Sequence, residues 1–230
     1  MRLDCDGLKY TYPGAEVPVI DNLCFSMTAP GFNAVFGPSG VGKTSLAKLV
    51  ASQANKPESR IVTSGMGRIL YSYNQERLPG WSSTGKHLNK VCPAGKEGLK
   101  KELIDIFKLE SVLDARFSQL SMGQQNRMNL IRYLLQEFDL LILDESLANV
   151  DEALRETIIL AIKALFPGKM FLYISHNLME VAKFCRDILV LSEPVKQKGS
   201  FMVKGRDYAF GYTLEKKVFE ASMLEIMDAF

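Results

Sequence analysis

The sequence lacks the features that would indicate a membrane-spanning, secreted or zinc-binding protein. No apolar run reaches the roughly 20 residues that a membrane-spanning helix needs, and the opening MRLDCDGLKY lacks the apolar core of a signal peptide. The four cysteines are scattered without CxxC spacing, so we expect reduced thiols and no zinc site. We therefore expect the chain in the cytosol or on the cytosolic face of a larger assembly.

The sequence also lacks a charge excess of either sign. Its formal net charge is +2, from 28 lysines and arginines against 26 aspartates and glutamates. A balanced charge argues against a large nucleic-acid interface, and we expect no nucleic-acid partner. Internal repeats are absent too, so the 230 residues suit one sizeable α/β domain or two small ones.

Short apolar runs alternate with amphipathic segments along most of the chain. Such runs are typical of strands that are buried on both faces of a sheet. The predicted strands are Phe32–Phe36, Asp139–Asp144, Met170–Ser175 and Asp187–Ser192, and the predicted helices are Lys43–Ser52, Gly98–Leu113, Met122–Gln136 and Asp151–Phe166. Strands that alternate with helices favour a mostly parallel sheet with helices on both sides.

Three further regions are less regular. The pattern predicts short strands broken by turns over Arg2–Met27, and two strands around a glycine turn over Arg60–Tyr73. The more polar stretch 82–114 predicts a helical insertion into the α/β core. The segment Tyr212–Phe230 predicts a helix that docks on the core, with apolar candidates Val218, Phe219, Leu224 and Met227.

The most informative stretch, GPSGVGKTS, follows a predicted strand and precedes a predicted helix. It fits G-x-x-x-x-G-K-[ST] without a mismatch, in the context that a phosphate-binding loop requires. Glycines let backbone N–H groups approach phosphate oxygens, and the helix N-terminus adds partial positive charge. Lys43 would bridge the β- and γ-phosphates, and the Thr44 hydroxyl would bind Mg²⁺. The predicted nucleotide-binding residues here are Gly37, Pro38, Ser39, Gly40, Val41, Gly42, Lys43, Thr44 and Ser45.

Two acids end the apolar run LLILDES. An acid at the end of a buried strand can hold Mg²⁺, which predicts Asp144 as a metal ligand opposite Thr44. Glu145 should point differently, toward the water that attacks the γ-phosphate, and is the predicted general base. A solvated acidic strand end is the alternative, which the intact phosphate loop disfavours. These motifs indicate nucleoside-triphosphate chemistry without naming its task.

A second predicted anion site lies at QLSMGQQNR. Ser121 is a good N-cap, and a hydroxyl, free N–H groups and a helix dipole together bind anions. LSMGQ resembles the LSGGQ signature of ABC-type ATPases, with Met122 in place of a glycine. The motif order is similar to that family over nearly the whole chain: Gly37–Thr44, Gln75, Leu120–Gln124, Asp144 with Glu145, Asp151, and His176.

The resemblance implies the fold and the division of the chain. The fold is an α/β phosphate-loop NTPase (RecA-like) core with a mostly parallel sheet, an N-terminal antiparallel β part and a helical subdomain insertion. Residues 1–230 form a single ABC ATPase domain, with the core at about 1–75 and 120–230 and the helical subdomain at about 76–120.

The resemblance also assigns roles to single residues. Tyr12 matches the aromatic residue that stacks on adenine, with Tyr10 as its rival. Gln75 matches the glutamine whose amide reaches Mg²⁺ or the attacking water. His176 matches the switch histidine that contacts the γ-phosphate and orients Glu145.

In this family two copies bind head to tail, with each ATP between the phosphate loop of one subunit and the signature of the other. The resemblance therefore implies ATP and Mg²⁺ as cofactors and a homodimer, or a pair with a paralogous cassette. The residues that reach the partner's nucleotide would be Ser121, Gly123 and Gln124, and Asp151 lies in the loop that crosses the interface. Met122 would be strained if its position needs positive φ. Ser146 stands where proline is usual, but no catalytic group is lost, so we expect an active ATPase.

The stretch NQERLPGW is similar to part of the importer cassettes for nitrate, sulfonate and taurine. It predicts transmembrane permease subunits as partners, a substrate-binding protein in the full system, and a place on the cytoplasmic side of the membrane. Trp81 is either a core residue or an anchor in the groove that receives the membrane subunit. A soluble cassette in assembly or regulation stays open as an alternative. A small-molecule phosphate-loop kinase is disfavoured by LSMGQ.

Overall fold

The structure, a computed structural model, describes residues 1–74, 76–78, 82–192 and 200–228. The strands are β1 (Arg2–Tyr10), β2 (Ile20–Met27), β3 (Gly31–Phe36), β4 (Ile61–Ser64), β5 (Ile69–Tyr73), β6 (Leu140–Asp144), β7 (Met170–Ile174), β8 (Asp187–Leu191) and β9 (Ser200–Lys204). The helices are α1 (Lys43–Gln53), α2 (Thr84–Val91), α3 (Glu97–Ile106), α4 (Met122–Leu134), α5 (Glu152–Leu165), α6 (Leu178–Phe184) and α7 (Lys216–Asp228). None of these helices combines the length and apolar character needed to cross a membrane.

The described strands form two sheets. The larger sheet has six strands in the order β5-β6-β7-β3-β8-β9, and the smaller has the order β2-β1-β4. Neighbours from β5 to β8 run parallel, β9 runs antiparallel on the edge, and the smaller sheet is antiparallel. Parallel strands all end at one edge of a sheet, and ligands bind in the crevice outside that edge. The loops that follow β3, β6 and β7 therefore meet there.

The core consists of two apolar layers, one on each face of the six-stranded sheet. Every residue of β6 is buried, and its side chains alternate between the layers. Leu140 and Ile142 join the layer that holds α1 and the antiparallel sheet. Leu141 and Leu143 join the layer built with helices α3 to α7. Each fully buried side chain of this kind contributes about 1.5–3 kcal/mol, which fixes the strand register and the position of the strand ends.

Most predicted strands and helices are confirmed within a residue or two, but Gly98–Leu113 is wrong as one helix. Helix α3 ends at Ile106, Lys108 has a left-handed φ of 53°, and a 3₁₀ turn follows at Glu110–Val112. The apolar spacing continued because Phe107 and Leu109 are still buried, although the backbone is no longer helical. Helices α2 and α3 lie where the helical subdomain was predicted. Its boundaries near 76 and 120 stay a prediction.

The C-terminal segment forms a docked helix, as predicted, with Phe219 buried and Val218 partly buried, but two of the four apolar candidates lie outside the buried face. The stripe of α7 that packs on the core consists of Phe219, Ser222 and Ile226. Leu224 and Met227, predicted as core residues, are 59% and 55% exposed. At 3.6 residues per turn, Leu224 lies roughly 140° around the helix from Phe219, so both cannot face the core. The sequence pattern did not predict α6 or β9.

Candidate functional site

The loop between β3 and α1 has a conformation that depends on glycine. Gly42, the N-cap of α1, has φ 106°, a value that side chains rarely adopt. A Cβ at Gly42 would also lie 2.8 Å from Val19 Cγ1. The carbonyl of Gly42 accepts the Leu46 N–H at 2.8 Å and starts the helix. The first N–H groups of α1 therefore face the loop without helical partners, an arrangement that binds phosphate.

Lys43 extends back along this loop. Its Nζ donates to the carbonyls of Gly37 and Pro38, both at 2.7 Å. Burial lowers the pKa of Lys43, while the carboxylates of Glu145 and Asp144 act in the opposite direction. An ammonium has three N–H donors, so one is left over after these two bonds. The loop thus fixes the position of the Lys43 amine and leaves one of its N–H donors unused by these two carbonyls.

The strand register brings Asp144, Glu145 and His176 together. Asp144 of β6 lies opposite Ile174 of β7, and the Glu145 N–H donates to the Ile174 carbonyl at 3.1 Å. Two residues past Ile174, His176 places Nδ1 at 3.1 Å from Glu145 Oε1. Glu145 has a left-handed φ of 52°, which is strained for a residue with a side chain and is often found at functional sites.

Two neighbouring cavities adjoin the loop and share Thr44 and Glu145. One, of about 240 Å³, is lined by Tyr12, Val19, Ser39, Gly40, Gly42, Lys43, Thr44, Ser45 and Glu145. The other, of about 550 Å³, is lined by Thr44, Lys48, Tyr71, Tyr73, Asn74, Asp144 and Glu145. The predicted phosphate-binding residues, the predicted metal ligands and the predicted general base therefore line two neighbouring cavities that share Thr44 and Glu145.

Tyr12 lines the smaller cavity, and its rival Tyr10 does not appear among the described lining residues. The Tyr12 hydroxyl lies 2.5 Å from Ser45 Oγ, and its ring meets that of Tyr10 edge-on at 5.1 Å between centroids. Tyr12 remains 47% exposed. A half-exposed ring beside the phosphate loop is in a position to stack on a base.

The donors in the larger cavity fit Mg²⁺. This ion prefers oxygen ligands, usually one or two carboxylates together with substrate phosphates and water. Thr44 supplies a hydroxyl and Asp144 a carboxylate to the same space. Asp144 is 6% exposed, and a buried carboxylate of this kind is stabilised by positive charge, which Lys43 supplies in this structure and a bound cation would add to. The residues present therefore suit the predicted ion.

The signature segment begins α4 on the protein surface. Ser121 is the N-cap, and its Oγ accepts the Gln124 N–H at 3.3 Å while Gln124 Oε1 accepts the Ser121 N–H at 2.9 Å. Met122 is the first residue of α4 and is 47% exposed. Its φ is not positive. The strain considered for Met122 is therefore not present. Among described lining residues, neither cavity includes Ser121, Gly123 or Gln124.

Helix α4 packs closely on the loop that contains Asp151. A Cβ at Gly123 would lie 2.2 Å from the Asn149 carbonyl oxygen, so this position accepts only glycine without a backbone shift. Asn126 Nδ2 donates to the Ala148 carbonyl at 2.8 Å and to Asn74 Oδ1 at 2.9 Å. Asp151 is the N-cap of α5. The signature, the Asp151 loop and the residue before Gln75 therefore form one connected unit.

Ser146 has a structural place that a proline could not take in the same way. It is 2% exposed, and its Oγ donates to the Ser72 carbonyl at 2.9 Å and lies 3.0 Å from Ser72 Oγ. These bonds tie the end of β6 to β5, directly after the acid pair. The substitution of the usual proline is therefore matched by a local hydrogen-bond network.

Two polar residues at the site have no motif signal in the sequence. These residues are Asn126 and Tyr71. The Tyr71 hydroxyl donates to Asp144 Oδ2 at 2.8 Å. Burial and the Asp144 bond raise the pKa of Tyr71 well above its usual value. The pairing of β5 with β6 would have been needed to find this contact. Gln75 and Trp81, predicted at this end of the site, lie outside the described residues.

Comparisons with known proteins indicate the family of this chain. The ABC transporter family profile matches residues 20–148. The molybdenum import ATP-binding protein ModC of Brucella abortus (strain 2308) is 31% identical over 182 residues, covering 70% of this chain and 51% of that protein. The taurine import ATP-binding protein TauB of Pseudomonas syringae pv. tomato is 28% identical over 206 residues, covering 83% and 78%. This chain therefore spans about half the length of ModC.

A solved structure supports the fold assignment. It is a dimeric ATP-binding cassette in a post-hydrolysis state with ADP and Pi, with TM-score 0.69 and 20% identity, covering 83% of this chain and 94% of that one. At this identity the likeness concerns the fold alone. The predicted α/β phosphate-loop NTPase fold is confirmed.

Proposed function

The chain belongs to the ABC transporter family as an ATP-binding cassette, and from that premise we propose that it is the ATP-hydrolysing motor subunit of an importer. The proposed ATP hydrolysis rests on one observation. The phosphate loop, Asp144, Glu145 and His176 meet at one edge of the sheet, around shared cavities that Thr44 and Glu145 line together. This grouping provides the binding, metal-ligating and proton-accepting groups of an ATPase.

In the proposed reaction, water attacks the γ-phosphate and ADP leaves. The N–H groups of the loop and Lys43 balance the charge of the phosphates, which is where most catalysis of phosphoryl transfer arises. Glu145 accepts the proton of the attacking water as general base. His176, 3.1 Å from Glu145, holds that carboxylate in orientation and reaches the γ-phosphate. Tyr12 stacks on the adenine.

Thr44 and Asp144 are the proposed ligands of Mg²⁺, with Gln75 as the third. The ion neutralises negative charge on the β- and γ-phosphates when it is bound. Asp144 is fixed for this role because its strand is buried along its whole length. Lys43 and the Thr44 hydroxyl leave the same turn of α1, so phosphate and metal contacts form together.

We propose that ATP joins two copies head to tail, or this chain with a paralogous cassette. At the start of α4, Ser121 is exposed, Gln124 is partly exposed and Gly123 is buried, and none of the three lines the two cavities at the phosphate loop. A helix N-terminus at the surface is an anion site for a nucleotide held by another subunit. ATP binding favours the closed pair only as far as it binds that state more tightly, and hydrolysis removes the link.

The proposed partners are permease subunits in a membrane, with the cassette on the cytoplasmic side and a substrate-binding protein completing an importer of a small solute. The import functions in the names of ModC and TauB support this direction. The test is affinity purification of the chain from mildly solubilised native membranes. A multi-span protein recovered at one-to-one ratio is expected. Recovery with soluble partners alone would instead favour a role in assembly or regulation.

The hydrolysis step has its own test in purified protein. Glu145→Gln keeps the shape of the side chain and removes the base, so ATP hydrolysis should fall by about 10²–10⁴-fold. ATP binding should persist, because the phosphate loop is unchanged. A Glu145→Gln protein that hydrolyses ATP at the wild-type rate would refute the assignment of the base.

A further inference from the structure

We propose that Tyr71 is a positioning residue for magnesium binding, acting through the hydrogen bond that its hydroxyl donates to the carboxylate of Asp144. The inference rests on the proposed function, since it takes Asp144 as a Mg²⁺ ligand. Its basis is the 2.8 Å contact between Tyr71 Oη and Asp144 Oδ2. These residues are 73 positions apart in the sequence and meet only because β5 and β6 pair.

The sheet register explains the contact. Tyr73 lies opposite Asp144, and Tyr71 lies opposite Ile142. Residues opposite each other in register, and residues two apart on a strand, share a face. Tyr71, Tyr73 and Asp144 therefore project to the same side of the sheet. That side is covered by α1, which begins with Lys43 and Thr44.

The ring of Tyr71 is itself held in place. It stacks on Tyr73 with centroids 5.6 Å apart and planes at 21°, and it packs against the apolar layer under α1. The packing of the ring therefore fixes the position of the Tyr71 hydroxyl. Among the described residues, the Tyr71 hydroxyl donates the side-chain hydrogen bond that the Asp144 carboxylate accepts.

A ligand that is oriented before the metal arrives binds it more tightly. A carboxylate can rotate about its last bond, and a hydrogen bond to one oxygen restricts that rotation while the other oxygen remains free. Outer partners of this kind contribute about 10–100-fold to metal affinity in known metal sites. Tyr71 is suited to the role because it sits in the larger cavity beside Asp144 and Thr44.

The test compares Tyr71→Phe with Tyr73→Phe. Both variants lose one hydroxyl and keep the stacked rings, but of the two hydroxyls it is that of Tyr71 which donates to the Asp144 carboxylate. A fluorescent ATP analogue is titrated in EDTA and across a series of Mg²⁺ concentrations. Tyr71→Phe should raise the half-saturating Mg²⁺ concentration about tenfold. Its affinity in EDTA should stay within about twofold of wild type, because the phosphate loop is untouched. Tyr73→Phe should raise the half-saturating Mg²⁺ concentration clearly less than Tyr71→Phe does, because the removed hydroxyl is not the one that donates to Asp144.

An Asp144→Asn background identifies the route of the effect. If Tyr71 acts through the carboxylate, adding Tyr71→Phe to Asp144→Asn should change the Mg²⁺ dependence by less than about twofold. An unchanged Mg²⁺ dependence in Tyr71→Phe, or an equal loss of affinity in EDTA, would overturn the inference. If the nucleotide affinity of the wild-type protein does not depend on the Mg²⁺ concentration, the metal assignment in the proposed function is itself wrong.

Discussion

Replacing Gly123 with alanine tests how closely the signature helix meets the Asp151 loop. The added Cβ would lie 2.2 Å from the Asn149 carbonyl oxygen, where contacts between heavy atoms normally measure about 3.5–4.0 Å. The opposing atom belongs to the backbone, so no side-chain rotation relieves the overlap. Asn149 already has a left-handed φ of 62°, which limits how its peptide can move.

Two effects of opposite sign decide the magnitude. Alanine in place of glycine within a helix stabilises it by about 0.5–1 kcal/mol. Inserting a methyl group into a packed contact costs about 1–3 kcal/mol. The overlap at Gly123 exceeds 1 Å, so the second effect should win, and Gly123→Ala should lose about 1–2 kcal/mol of unfolding free energy.

Gly98→Ala is the matched control, measured by urea or thermal unfolding. Gly98 is the second residue of α3, as Gly123 is of α4, and a Cβ there meets nothing within 4 Å. Gly98→Ala should therefore stabilise the protein or leave it unchanged. ATP-dependent pairing of subunits should weaken in Gly123→Ala alone. Equal stability of the two variants would refute the close approach that the structure describes.

Three other predictions concern the side chains of Ser146, Asp139 and Tyr12. Ser146→Ala should cost about 1 kcal/mol of unfolding free energy because it removes a buried bond to Ser72, whereas the exposed Ser52→Ala should cost little. The N–H groups of Gly67 and Arg68, with Lys169, lower the pKa of Asp139, so its ionised form stabilises the fold above about pH 3.9. Asp139→Asn should therefore be about 1–2 kcal/mol less stable at pH 7, and titration should show the difference shrinking as the pH falls below that value. Tyr12→Ala should weaken ATP binding about tenfold and Tyr12→Phe hardly at all; unchanged affinity in Tyr12→Ala would move the stacking role to Tyr10.

Local patterns predicted the parts of the site that lie within one loop or strand end. The phosphate loop and the acids Asp144 and Glu145 belong to this class, because a strand, a glycine turn and a helix start are each encoded by a few neighbouring residues. The role of His176 is a prediction from the family resemblance, and its contact with Glu145 follows from the pairing of β6 with β7.

Contacts between distant segments could not be predicted in this way. The Tyr71–Asp144 bond and the Asn126 bridge depend on which strands and loops become neighbours, which no local pattern states. The exposed Leu224 illustrates the same limit for packing. Apolar spacing in a short helix allows more than one buried face, and the surfaces of α6 and β9 determine which face of α7 is used.

The most direct test of the account is the mass of Glu145→Gln in solution with and without ATP and Mg²⁺. If ATP joins two cassettes and hydrolysis separates them, this variant should elute in ATP at about twice the 25.7 kDa of one chain. It should return to a single chain without nucleotide, and the double variant with Lys43→Ala should stay single throughout. A Glu145→Gln protein that binds ATP yet remains at the mass of one chain would contradict the account.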